Sequence, residues 1–151
     1  MTKTASEIQK ERIQQIEAQA NELLARCSVV TLASVNEGGY PRICAVAKVK
    51  AESFHDIYFV SSKRSAKNGK VTHFENNNKA SVCYTLGGDS VTLIGTVEFM
   101  NERELQEQVW NESDRRFFSK GIDDPKFRLI KFHTKEATFW IQGKFRTCRY
   151  K

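Results

Sequence analysis

Short β-branched segments separated by glycine-rich turns occupy residues 28 to 100, and this pattern restricts the fold more than any other feature. Val, Ile, Thr and aromatic residues are typical of strands, whereas Asn-Glu-Gly-Gly and Gly-Gly-Asp are typical of tight turns. Consecutive strands joined by short turns pair antiparallel, and closure into a barrel removes the exposed edges of an open sheet. Strands are predicted at residues 28–35, 40–50, 56–62, 80–86 and 90–100.

Helices are predicted on either side of these strands. Residues 1–27 carry apolar side chains every three or four positions, and Thr4-x-x-Glu7 and Ser6-x-x-Gln9 are both capping-box candidates. A short helix is expected at 65–77, weakened by Gly69, and another from Asn101, as its N-cap, to about residue 112. A further helical turn at 114–120 is expected before the last strands.

Two final strands are expected at 126–133 and 136–141, joined through a turn at 133–135. The fold class is therefore mainly β (α+β), an antiparallel barrel of about six to seven strands with peripheral helices. Gly95, inside the fifth strand, indicates a barrel bend or a close approach of two backbones.

The second strand has two different faces. Its first face is apolar, and its second face, which carries basic residues, is expected to meet solvent or a polar ligand. The first comprises Ile43, Ala45, Ala47 and Val49, and the second comprises Arg42, Cys44, Val46, Lys48 and Lys50.

Composition limits the kind of protein this can be. The 151 residues are enough for one domain with a real core, and no apolar run is long enough for a membrane span. The polar N-terminus is unlike a signal peptide, so the four widely spaced cysteines are expected to be reduced thiols in a cytoplasmic protein. Neither they nor the three histidines have a metal-binding spacing. The net charge of +6 suits an anionic ligand or, as a weaker alternative, nucleic acid.

A phosphate site is predicted where the third strand ends. The segment DIYFVSSKRSAKNGKVTHF passes from a strand into a bend rich in Ser, Lys and Arg, and then into the second helix. Helix-initial N–H groups, lysine charge and serine hydroxyls all favour a phosphate. The alternative for this bend, taken alone, is a solvated basic loop.

By order and spacing of several short motifs, residues 23–146 resemble the pyridoxamine 5′-phosphate oxidase-like split-barrel flavoproteins. None of the motifs is specific alone, but their order agrees with that family. The resemblance implies a split β-barrel that binds FMN in a groove between two subunits of a homodimer. The motifs are Pro41-Arg42-Ile43, Tyr58-Phe59-Val60-Ser61, Ser65-Ala66-Lys67, Phe74-Glu75-Asn76-Asn77, Ile94-Gly95-Thr96-Val97 and Phe139-Trp140-x-x-Gly143.

The resemblance also implies the cofactor-binding residues. Arg42 and the bend at 61–67, including Ser65, would hold the FMN phosphate, and the backbone of Val60, Ser61 and Ser62 would line the ribityl chain and ring. Trp140 would approach the flavin from the partner subunit, although it could equally be a core or interface indole. The phosphate lysine is Lys67, counted forward from Ser61, with Lys70, counted back from Phe74, as the alternate. FAD and a deazaflavin are less favoured cofactors.

Two departures separate this chain from the vitamin B6 oxidase itself. Where that enzyme binds the substrate phosphate through Tyr, Arg and Ser, this chain has Trp110, Asp114 and Phe118. Its substrate-binding Arg and His correspond to Arg146 and Cys148, so the histidine is missing. The chain is therefore expected to resemble the general stress protein branch and not to oxidise pyridoxamine phosphate.

Two functions remain open at this stage. One is an FMN-dependent oxidoreductase on an unidentified small molecule, with a nicotinamide as electron source and no evident catalytic residue. The other is a non-catalytic flavin-binding or flavin-storing stress protein.

Overall fold

The computed structural model of the chain describes residues 2–63 and 69–151. Within these residues, three helices, two 3-10 turns and seven strands follow one another. The helices are α1 (Ala5–Ala25), α2 (Lys70–Asn76) and α3 (Arg103–Val109), and the 3-10 turns are Glu112–Arg116 and Gly121–Asp123. The strands are β1 (Val29–Val35), β2 (Pro41–Ser53), β3 (Asp56–Ser62), β4 (Lys79–Leu86), β5 (Asp89–Met100), β6 (Phe127–Ile141) and β7 (Lys144–Arg149).

The strands form a closed antiparallel barrel. Their order is β3-β2-β1-β4-β5-β6, and β3 pairs with β6 to close the ring, while β7 extends β6 outside it. Alternate side chains fill the interior, which is rich in aromatic rings such as Phe54, Phe59, Phe132 and Phe139. The predicted mainly β barrel with peripheral helices is confirmed.

Helix α1 packs on the barrel near the β2–β3 and β4–β5 turns. Its first turn has the predicted capping box, in which Thr4 Oγ1 accepts from the Glu7 N–H and the Glu7 carboxylate accepts from the Thr4 N–H. The buried Tyr84 hydroxyl donates to the Ala20 carbonyl at 3.1 Å, and Asn21 Oδ1 accepts from the Phe54 N–H at 2.9 Å. These bonds fix α1 to the sheet in addition to its apolar stripe.

The predicted turn at 133–135 is wrong, because β6 runs unbroken from Phe127 to Ile141. Thr134 is fully buried, and its hydroxyl donates to the Phe54 carbonyl at 2.6 Å. Lys135 is the extra residue of a bulge opposite the step from Ile94 to Gly95. The true turn is at Gln142-Gly143, where both residues have positive φ, and it leads into β7, which the sequence reading did not find.

The two later helices are shorter than expected. Helix α2 begins at Lys70 after an N-cap at Gly69, and residues 65–68 of the predicted helix lie outside the described residues. Helix α3 begins after Glu102 rather than Asn101, and it ends before Trp110. Asn111 instead caps the 3-10 turn that follows, with Asp114 as its partner.

Candidate anion site at one end of the barrel

One end of the barrel brings together the end of β1, the start of β2, the end of β3 and helix α2. Ser34 and Arg42 are cross-strand partners and therefore share a face of the sheet. Ser34 is buried, so that face is directed toward the barrel interior, and Arg42 extends from it where the barrel opens. Ser61, near the end of β3, is buried on the corresponding inner side.

Helix α2 covers this end through Val71, His73 and Phe74, which are all buried. His73 Nδ1 lies 2.8 Å from Ser34 Oγ, and the side chain is only 4% exposed. Burial, and then the positive charge of Arg42, lower the pKa of His73 below its usual value. The ring is therefore neutral at physiological pH. Among the described residues, its Nε2 is the one buried side-chain nitrogen or oxygen without a hydrogen-bond partner.

Several cationic side chains lie around this opening, and two of them already have hydrogen-bond or ion-pair partners within the chain. Lys63 pairs with the Glu75 carboxylate, and its backbone N–H donates to the Lys126 carbonyl at 2.7 Å, so it ties α2 to the strands. Arg128 donates to the carbonyls of Pro125 and Phe127 at 2.7 and 2.9 Å. Lys70 precedes His73 by three residues and therefore lies on the same side of α2.

The residues that the sequence assigned to the cofactor do not all meet in one chain. Arg42, Ser61 and Lys70 lie at the α2 end, and the backbone of Val60 and Ser62 adjoins Ser61, although the side chains of these two residues alternate to the other side of β3. There Val60 packs on a second apolar cluster of Val109, Phe118, Phe127 and Leu129. Ser65 and Lys67 lie outside the described residues.

Trp140 lies far from Arg42 within the chain. It is the cross-strand partner of Ser90, beside the β4–β5 turn, and its ring lies 6.1 Å from that of Phe145 on β7. The indole is 46% exposed, so it is not a core residue of a single chain. Only a second copy could bring it near Arg42.

The apolar face of β2 lies outside the barrel, which is the reverse of the expected arrangement. Val46, from the basic face, is buried, and Cys44 packs against the core, whereas Ile43 is 69% exposed. The partners of this apolar face on the neighbouring strands are also uncharged. We call this surface the outer face; it comprises Val29, Thr31, Ala33 and Val35 of β1, Pro41, Ile43, Ala45 and Ala47 of β2, Ser81 and Cys83 of β4, and Thr92 and Ile94 of β5.

A cavity of about 320 Å³ opens on the outer face, lined by apolar residues such as Ala33, Val35, Pro41 and Ile94 and, at its border, by Lys79 and Lys135. Pro41 precedes Arg42 directly, so the cavity adjoins the position of the arginine. A second cavity, of about 480 Å³, lies between α1 and β7 and is lined by Arg12, Gln15, Ile16, Gln19, Lys144, Phe145 and Arg146.

The residues aligned with the vitamin site have structural roles here. Phe118 is buried and makes ring contacts with Trp110 at 6.3 Å and with Phe127 at 5.2 Å, which fixes the segment after α3. The Arg146 guanidinium donates to the Gln9 side-chain oxygen at 2.9 and 3.2 Å, in the amide orientation that satisfies both groups. Cys148 packs against the core. No group of three or more His, Cys, Asp or Glu side chains suited to a metal ion occurs in the described part of the chain.

Comparison with known proteins decides the family. The family model described as pyridoxamine 5′-phosphate oxidase matches residues 16–141, which is most of the chain. The chain belongs to this family. Members of the pyridoxamine 5′-phosphate oxidase family commonly bind a flavin and are typically dimeric. No curated protein sequence matches significantly.

Solved structures of low sequence identity share the fold. A Clostridium acetobutylicum protein related to general stress protein 26 of Bacillus subtilis has a TM-score of 0.76 at 22% identity, covering 89% of this chain and 94% of that one. General stress protein 26 from Bacillus anthracis has a TM-score of 0.65 at 23% identity, covering 93% and 98%. A heme binding protein from Mycobacterium smegmatis has a TM-score of 0.69 at 16% identity, covering 89% of this chain and 57% of that one.

Sequence reasoning placed Arg42, Ser61 and Lys70 in the predicted site but gave no role to Ser34 and His73, which lie at the same barrel end. A lone Ser in a strand and a lone His in a helix carry no signal of their own, and 39 residues separate them.

None of the helices in the described part of the chain combines the length and apolar character needed to cross a bilayer.

Proposed function

We propose that this protein binds FMN between two copies of the chain and acts as a flavin-dependent oxidoreductase on a small molecule. The observation that carries the proposal is the convergence of Arg42, Lys70 and Ser61 at one barrel end in a member of this family. A dianionic phosphate is bound well by a guanidinium, an ammonium and hydroxyl donors together. The carboxylate of α2, Glu75, is already paired with Lys63 and does not oppose the phosphate.

The residues at this end fit a phosphorylated cofactor in a further respect. His73 Nε2, a buried nitrogen without a hydrogen-bond partner among the described residues, lies in the helix that packs on β1 and β3 at this barrel end, so the site has unused hydrogen-bonding capacity. The neighbouring cavity on the outer face is lined mainly by apolar groups, which suits a planar ring. This fit supports FMN over an unphosphorylated flavin.

The outer face supports a homodimer. A contiguous, mainly apolar sheet surface is rare on a monomer and is typical of a protein interface. A second copy covering this face would enclose the cavity beside Arg42. The same association would allow the partner's Trp140 to reach the flavin. Dimerisation and cofactor binding would therefore depend on the same surface.

When bound, FMN would supply the redox chemistry, and the chain would bind and orient it. Arg42 and Lys70 would hold the phosphate, and the backbone at residues 60–62 would support the ribityl chain. The packing of Trp110 and Phe118 in the second cluster argues against vitamin B6 phosphate as substrate. The four free cysteines agree with a reducing compartment, and we propose the cytoplasm.

The first experiment is the visible spectrum of the purified protein before and after adding FMN, with gel filtration to separate bound from free ligand. We expect a flavin spectrum that elutes with a dimer-sized peak. FAD, a deazaflavin and hemin are tested in parallel, since a relative of this fold binds heme. A protein that binds none of the flavins would overturn the proposal, and binding without nicotinamide-dependent turnover would favour flavin storage.

Removing the charge of Arg42 should weaken FMN binding by about 10- to 100-fold, because a bidentate charge-assisted contact is lost. Equilibrium titration of the Arg42→Gln variant measures this loss, and riboflavin, which has no phosphate, should bind the variant and the wild type equally. Arg146→Gln, at the α1–β7 cavity, is the matched control and should bind FMN normally. Comparing Lys67→Gln with Lys70→Gln decides which lysine binds the phosphate. Unchanged affinity in Arg42→Gln would contradict the assignment.

A further inference from the structure

His73 is a buried histidine with one ring nitrogen bonded and the other unpaired. Nδ1 is 2.8 Å from Ser34 Oγ, while Nε2 is buried and has no partner in the described residues. Buried polar atoms are nearly always hydrogen-bonded, so an exception in a folded protein points to a ligand, ion or water. Neither the charged residues of α2 nor the spacing of its buried residues explains why a histidine is buried at this position.

The Ser34 hydroxyl can define which ring nitrogen of His73 carries the proton. A serine hydroxyl rotates freely and can donate to Nδ1, and the neutral ring then keeps its proton on Nε2. Burial and the charge of Arg42 keep the ring neutral, as its lowered pKa indicates. Nε2 then becomes an N–H donor that lacks an acceptor.

We propose that His73 binds the phosphate ester of the ligand through Nε2–H, with Ser34 holding the ring in that tautomer. Ser34 is the cross-strand partner of Arg42, so β1, β2 and α2 would each contribute to a single phosphate group. A neutral imidazole fits here, because the charge of Arg42 disfavours a protonated, buried ring. The inference rests on the proposed function, because it concerns the same phosphate.

His73→Leu should weaken binding of FMN by about tenfold or more, because it removes a hydrogen bond to a charged group. His73→Gln retains an N–H donor at a similar distance from the backbone and should recover most of the affinity. Ser34→Ala should show a smaller loss, since the ring can still donate but its tautomer is no longer fixed. Riboflavin affinity should not change in any of these variants.

The imidazole nitrogen resonances of the wild type give a readout that a purely structural histidine would not give. We expect the ¹⁵N spectrum of the ligand-free protein to show a neutral His73 protonated on Nε2. On addition of FMN or inorganic phosphate, the Nε2–H resonance should shift while Nδ1 stays bonded to Ser34. His73→Gln identifies the resonance among the three histidines.

The outcomes separate this inference from the proposed function. Wild-type protein that binds no flavin overturns the proposed function, and inorganic phosphate then remains the probe for His73. FMN binding with equal affinity in wild type and a folded His73→Leu overturns the inference alone. A His73 resonance protonated on Nδ1, or one that neither FMN nor phosphate moves, overturns it even if the leucine variant fails to fold.

Discussion

A Gly95→Ala variant is expected to lose more than about 3 kcal/mol of unfolding free energy, and to melt about 10 °C below the wild type. A Cβ at this position would lie 1.9 Å from the His133 carbonyl oxygen and 2.9 Å from its carbon, both backbone atoms. The Phe132 ring, at 3.0 Å, blocks the remaining direction. Because β5 and β6 are paired on both sides of this bulge, the clash can be relieved only by separating the two strands.

Gly38→Ala is the matched control. Gly38 lies in the β1–β2 turn with an ordinary φ, and the nearest atom to its added Cβ is in the Tyr40 side chain, which can move. We expect this variant to stay within about 0.5 kcal/mol of the wild type in denaturant unfolding. A Gly95→Ala variant as stable as Gly38→Ala would show that the His133 backbone does not approach Gly95 closely enough to exclude a Cβ.

Gly95 also shows where sequence reasoning succeeds and where it stops. A glycine inside a strand predicted a barrel bend or a close backbone approach, and the second of these is present, but the approaching segment was predicted to be a turn. His133-Thr134-Lys135 is polar and resembles a turn locally. Thr134 is buried only because its hydroxyl reaches the Phe54 carbonyl, 80 residues away, and this contact has no local signal.

The candidate site, too, could be predicted only in part from the sequence. Arg42 was assigned through the family resemblance of Pro41-Arg42-Ile43, and the barrel end it occupies follows from the strand order. The faces of β2 were assigned in reverse, because Ile43 and Val46 are equally apolar and alternation alone does not show which side is inside. The structure turns Val46 inward and leaves Ile43 in solvent.

That reversed assignment is informative, since it leaves an uncharged sheet surface without a cover in a chain that is 28% charged. Ile43, on the β2 side of the outer face, is its most exposed large apolar side chain; it lies opposite Ala33 and is flanked by Ala45 and Pro41. In a two-fold symmetric dimer each surface residue enters the interface twice. A single substitution at Ile43 therefore places two charges in an apolar contact.

The Ile43→Lys variant is expected to be a monomer at concentrations where the wild type is a dimer, with a dimer dissociation constant raised at least about 100-fold. Two unpaired buried charges cost several kcal/mol, which exceeds the usual effect of a substitution at the rim. Sedimentation equilibrium over a concentration series measures the change. Ile8→Lys, the same substitution at a partly exposed position on α1, should leave the dimer intact. A wild type that is monomeric throughout, or an equally tight Ile43→Lys dimer, would contradict the use of this face.

The same variant tests whether the flavin lies between the two copies. If it does, Ile43→Lys should bind FMN weakly although Arg42 and His73 are intact, and excess FMN should partly restore its dimer, because ligand binding and association are then linked. Arg42→Gln should behave in the opposite way and remain a dimer without ligand while losing FMN. Should Ile43→Lys be a monomer that binds FMN as tightly as the wild type, the phosphate site would be complete within one chain, and the partner's Trp140 would have no part in it.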